Sequence, residues 1–254
     1  MNYIVACLVG LFSSDVSMKI YDIPSQPWFF GAFCLGFLFI TVFNVMAITA
    51  QRNGLSVASV AGKMSVVIPI IFGIVIYKES IGFVKVFGIV LALIAVYLSS
   101  AKSDSAPVKF KNLLFPLLLF FSSGLIDAGI KYVETTSVPE GGVPMFSATI
   151  FGFAFVLGAL YLIVQAIKGR FKFQYKNILG GILLGVPNYF SIVFLLKALQ
   201  TDGLESSTLF TINNVGVVIC TTIFGLFMFK EKLINKNWLG ISLAILSIIL
   251  VAFG

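Results

Sequence analysis

The sequence predicts an all-α polytopic membrane protein made of two inverted helical repeats, with four transmembrane helices in the first and five in the second. Three observations carry this. Apolar runs of about 20 residues recur along almost the whole chain, each long enough to cross a hydrocarbon core of roughly 30 Å. Of 254 residues, 59% are hydrophobic and 11% charged, where soluble domains carry roughly 25% charged residues, and the mean hydropathy is +1.07. The back half also repeats the front half. Gly73-Ile74-Val75-Ile76-Tyr77-Lys78-Glu79 returns as Gly225-Leu226-Phe227-Met228-Phe229-Lys230-Glu231, and the interval from Glu79 to Gly88 equals that from Glu231 to Gly240. Asn53-Gly54-Leu55-Ser56 has its counterpart in Asp202-Gly203-Leu204-Glu205, and Gly36 in Gly185.

The apolar runs predict membrane segments at 2–21, 28–51, 55–77, 83–100, 112–132, 145–167, 177–199, 206–229 and 238–253. The polar stretch rich in Lys, Ser, Asp and Pro before residue 112 reads as a linker. The organisation is therefore a first repeat over 1–101, a linker over 102–111 and a second repeat over 112–254. The repeat anchors align the last four segments with the first four, so 112–132 has no partner. The first repeat is expected to lack its opening helix; a natural nine-helix chain is the alternative. A repeat with an odd number of helices inverts, and inverted repeats with a central site are the plan of many secondary transporters.

The net charge of +7 does not point to nucleic acid, because the basic residues sit in short loops between apolar runs. Arg52, Lys168, Arg170, Lys176 and Lys236 belong to the larger set of loops, which the positive-inside rule places in the cytoplasm. Ile4-Val5-Ala6-Cys7 mimics a lipoprotein box, but a basic first segment and a long apolar core are missing. Cys7, Cys34 and Cys220 lie in apolar stretches without metal-type spacing. With no His in the chain, His relays, His metal sites and Ser-His-Asp catalysis are excluded. The sequence predicts no catalytic residues, no metal site and no cofactor, so the chain is not read as an enzyme.

Polar residues deep in apolar runs are the candidates for function, since an ionisable group at membrane depth is costly and usually faces a cavity. Lys63 lies roughly 13 Å into its segment at about 1.5 Å per residue, near the midplane, with Ser59 one turn earlier on the same face. It suits an anionic or carboxylate-bearing substrate, or a structural pairing between helices. Thr208, Thr211, Asn213 and Asn214 occupy the matching segment of the second repeat, where Lys63 falls level with Ile212 to Val215. Pro187-Asn188-Tyr189-Phe190-Ser191 sits inside a segment, where proline frees a carbonyl that Asn188, Tyr189 and Ser191 can meet. Pro69 interrupts the Lys63 segment in the same way. Asp127 and Lys131, spaced i, i+4, are expected to form an ion pair or to take part in coupling. Glu79 and Glu231 read as boundary anchors. Lys63, Ser59, Asn188, Tyr189, Asn213, Asn214 and Thr208 are thus the substrate-binding candidates, and Lys63, Asn188, Tyr189, Asn213 and Asn214 are expected to point into one central cavity.

These residues resemble the drug/metabolite transporter superfamily, in its EamA-like branch of ten-helix permeases. The family repeat ends in an apolar helix with a central proline, then a boundary Glu, then a helix opening on Gly: here Pro69, Glu79 and Gly88, and again Glu231 and Gly240. Its opening helix resembles Ser122-Ser123-Gly124 through Ile130-Lys131-Tyr132. The resemblance covers the whole chain. Three departures stand out: Thr221 replaces the second proline, Lys63 is an unusual charge, and the first opening helix is absent. The resemblance implies cytoplasmic termini, whereas the charge distribution turns the C-terminus outward.

The expected function is secondary transport of small polar metabolites or drugs across a bacterial inner membrane, by alternating access of the two repeats. The expected partners are a small-molecule substrate, a coupling proton or cation, and the lipid bilayer, with no nucleic acid. A non-transporting membrane protein such as a lipid-handling scaffold, or an inactive truncated permease, is the alternative.

Overall fold

Apolar runs without internal charge have one way to satisfy their backbone in lipid, the α-helix, and the fold follows from that. The computed structural model describes residues 1–13, 20–53, 55–79, 82–99, 114–169, 175–201, 203, 205–229 and 234–253. Among these, helices account for the regular structure and no strand occurs. They are α1 (Asn2–Ser13), a 3-10 segment (Ile20–Ser25), α2 (Phe29–Asn53), α3 (Leu55–Met64), α4 (Val67–Tyr77), α5 (Phe83–Ser99), α6 (Leu114–Ser137), α7 (Val143–Ile167), α8 (Tyr175–Leu199), α9 (Ser206–Phe229) and α10 (Asn235–Phe253). Windows within α2, α6, α7 and α8 are long and apolar enough to span a membrane, and the other helices carry shorter apolar stretches. Phe12, Phe83, Ile167, Leu183 and Phe227 are largely exposed, an arrangement that lipid, not water, rewards. The chain is an all-α polytopic membrane protein.

The helices form two compact units, Met1–Thr41 with Gly129–Asp202, and Val42–Ala128 with Gly203–Gly254. Each unit takes helices from both halves of the sequence.

In the first unit α1 packs on α7 and α8. A Cβ at Gly185 would stand 2.6 Å from Val5 Cβ and 2.8 Å from the Asn2 carbonyl, so glycine lets α1 lie directly on α8. Trp28 and Phe146, both without exposed surface, meet edge to face at 5.7 Å. Lys131 donates to Glu134 Oε2 at 3.3 Å and to the Leu199 carbonyl at 3.2 Å, closing the last turn of α8.

In the second unit α5 packs along α10, and α9 lies against α4, α5 and α10. Ala92, Ala95, Val215 and Ala244 form a small-residue core there. Past the end of α4 the chain turns sharply. Lys78 adopts a left-handed conformation (φ 54°), and the Glu79 carboxylate then folds back over Gly73, where a Cβ would stand 2.9 Å from the carboxyl carbon. That carboxylate accepts the N–H groups of Ser206 at 2.9 Å and Ser207 at 3.0 Å, together with the Ser206 hydroxyl. Glu79 is therefore the N-terminal cap of α9, supplied from 127 residues earlier in the chain. Next to it Lys85, only 3% exposed, pairs with Glu205.

Several sequence expectations change. The segment expected over 2–21 has a shorter helix, Asn2–Ser13, and Tyr21 belongs to the 3-10 segment. The segment expected over 55–77 is two helices, α3 and α4. The segment expected to end at residue 132 continues to Ser137, so the polar run beginning at Glu134 starts inside a helix. The linker, Asp15, Lys19, Arg170, Lys230 and Glu231 lie outside the described residues.

Candidate functional site

The division of α3 from α4 is the local event from which the site is built. Pro69 has no N–H to donate to the carbonyl four residues back, Ser65, and its ring crowds that carbonyl. Ile68 N–H takes the Ser65 carbonyl instead at 2.9 Å, and the Ser65 hydroxyl donates to the Gly62 carbonyl at 2.6 Å. Regular α-helix stops at Met64 and resumes at Val67. Thr221 holds the equivalent place in α9, and α9 runs unbroken to Phe229. Pro187 sits inside a continuous α8. There Leu183 occupies the place that Ser65 holds before Pro69, and it carries no hydroxyl to receive a displaced hydrogen-bond pattern.

Lys63 lies in the last turn of α3, where the C-terminal end of the helix dipole favours a cation. It opens onto a cavity of about 210 Å³ within the second unit. Gly62 and Lys63 come from α3, Val42 from α2, Ser123, Ile126 and Asp127 from α6, and Asn213 and Asn214 from α9. Ser123 and Asp127 are i, i+4 and so share one face of α6. Gly124 brings that helix against the break: a Cβ there would stand 2.6 Å from Ile68 Cβ and 2.8 Å from the Ser65 carbonyl. Lys63 and Asp127 are the two ionisable residues that line the cavity. Asn214 gives its side-chain N–H to the Phe210 carbonyl at 3.0 Å, which leaves its oxygen as an acceptor. The lining thus combines one cation, one carboxylate, two carboxamides and a hydroxyl, drawn from both halves of the sequence and surrounded by apolar helices.

The structure brings Lys63, Asn213 and Asn214 together in this cavity. Ser59 is half-buried on α3 one turn earlier, and Thr208 is buried near the start of α9; neither is among the residues lining the cavity. Asn188 and Tyr189 belong to the first unit. There Asn188 donates to Asn2 Oδ1 at 3.3 Å, and Tyr189 is 1% exposed, its ring filling the space left by Gly10 of α1. The Ser191 hydroxyl donates to the Asn188 carbonyl at 2.9 Å rather than to the one Pro187 frees. Lys131 reaches Glu134 and Leu199, because α6 continues past residue 132 and α8 ends beside it, while Asp127 lines the cavity together with Lys63. Sequence reasoning missed that last relationship. Its only signal was the polar face made by Ser123 and Asp127. Among the described residues no group of three or more His, Cys, Asp or Glu is placed to hold a metal.

A helical membrane bundle with a polar cavity beside a broken helix is the form of a transporter, and comparison with known proteins agrees. The model of the EamA-like transporter family matches residues 1–101. A protein of Haemophilus influenzae (strain ATCC 51907 / DSM 11121 / KW20 / Rd), described as an uncharacterized protein, is 31% identical over 249 residues, covering 94% of this chain and 82% of that one. A crystal structure at 11% identity superposes with a TM-score of 0.77 over 99% of this chain and 85% of the other, which shows a shared fold. The chain belongs to the EamA-like transporter family, within the drug/metabolite transporter superfamily.

Proposed function

We propose that the protein is a secondary transporter of small polar metabolites bearing a carboxylate, working in the bacterial inner membrane by alternating access of its two repeats. One observation carries this reading: the cavity that sets Lys63, Asp127, Asn213 and Asn214 around about 210 Å³ of space at a break between two helices. Non-helical backbone inside an apolar bundle is sustained where it lines a cavity, and such breaks mark transporter sites. Lys63 binds the carboxylate, and the amides of Asn213 and Asn214 donate and accept without charge.

The test is counterflow in proteoliposomes with labelled pyruvate, succinate and L-serine, comparing wild type with Lys63→Met. At least one substrate is expected to exchange in the wild type, with exchange abolished in the variant while its melting temperature is retained. Loss of stability with transport reduced only in proportion would make Lys63 a structural partner. No exchange of any probe by wild type would remove the carboxylate-transport reading.

A further inference from the structure

Within the residues lining the cavity, Lys63 on α3 and Asp127 on α6 are the ionisable ones; α2 contributes Val42, and α9 contributes the neutral Asn213 and Asn214. With both groups ionised the lining is balanced, one ammonium against one carboxylate. A monoanionic ligand seated on Lys63 would break that balance, leaving two carboxylates to share one cation within apolar helices, where an uncompensated charge is costly. Resting on the transport reading of this cavity, we propose that Asp127 couples the ligand to a proton: its carboxylate neutralises Lys63 when the cavity is empty, and it becomes a carboxylic acid when a ligand carboxylate takes its place.

No bond of the ligand changes. One O–H bond forms on Asp127 with a proton from the same aqueous phase that admits the ligand, and it breaks when the ligand leaves. The neutral acid is a hydrogen-bond donor in need of an acceptor, and the side-chain oxygen of Asn214 supplies one in the same cavity. The loaded site carries one monoanion and one proton and is again neutral, so the transfer moves no net charge. A pH gradient then drives accumulation, and the membrane potential does not. A zwitterion brings its own cation to Asp127 and needs no proton.

The experiment uses the purified full-length protein in detergent with pyruvate as probe, in weakly buffered solution near neutral pH. Proton uptake is followed with a pH indicator, and the carboxylic acid stretch by infrared difference spectroscopy. Wild type is expected to take up about one proton per bound pyruvate and to show a new carboxylic acid band. L-Serine, if it binds, should give neither. Asp127→Asn should still bind pyruvate but lose both proton uptake and the band; Lys63→Arg should keep both. Pyruvate binding without proton uptake in the wild type, or with undiminished uptake in Asp127→Asn, would overturn the coupling while leaving the transport reading intact. Failure of pyruvate to bind wild type would overturn the carboxylate role of Lys63, and the coupling with it.

Discussion

Glu79, beyond the end of α4, accepts the backbone N–H of Ser206 at 2.9 Å and so caps a helix belonging to the other half of the sequence. Helices with uncapped first turns leave N–H groups without partners, and a carboxylate also complements the positive end of the helix dipole. Glu79→Ala is expected to destabilise the protein by about 1–2 kcal/mol, read as a lower melting temperature in detergent. Glu79→Gln should recover part of the loss, since its amide oxygen still accepts. An unchanged melting temperature in Glu79→Ala would mean that the cap adds nothing.

Lys85 and Glu205 form an asymmetric pair, with side chains 4% and 35% exposed respectively. Removing the more exposed partner strands the buried one. Glu205→Gln is expected to cost about 2–3 kcal/mol, less than a fully buried pair would. Lys85→Met should cost under about 1 kcal/mol, because Glu205 keeps access to solvent. The order of the two melting temperatures checks this, and the reverse order would refute it.

Pro69 sets the break beside Lys63, so Pro69→Ala restores the missing N–H and allows α3 to run into α4. Proline in a helix interior costs about 3 kcal/mol relative to alanine. The variant is therefore expected to be as stable as wild type or more so, and to bind pyruvate less well because the cavity backbone has straightened. Unchanged pyruvate affinity would show that the break does not shape the site.

Two glycines near the site should respond in opposite ways. Gly124→Ala drives a methyl into Ile68 and the Ser65 carbonyl, an overpacking expected to cost about 1–3 kcal/mol. It should also push Asp127 away from Lys63. Gly62 has nothing within 4 Å of its would-be Cβ, so Gly62→Ala should gain up to about 1 kcal/mol of helix propensity while narrowing the cavity it lines. Melting temperatures of the two variants decide the point.

Membrane residence, helical class and repeat membership are written into the sequence itself, because lipid demands long apolar runs with internally bonded backbone. A repeated motif such as Gly73 to Glu79 and Gly225 to Glu231 needs no structure to be seen. Lys63, Asn213 and Asn214 were legible as polar residues deep in apolar runs. What tertiary structure alone decided was partnership. The i, i+4 spacing matched Asp127 with Lys131, but a charge inside a bundle is satisfied by whatever stands across from it. Asp127 shares its cavity with Lys63, some sixty residues away in sequence, and Lys131 reaches Glu134 and the end of α8. Pro69 and Pro187 read alike in sequence, yet only the first divides its helix, where Ser65 and Gly62 can absorb the displaced hydrogen bonds. Local chemistry determines which residues need partners in a membrane; packing between distant helices determines which partners they get.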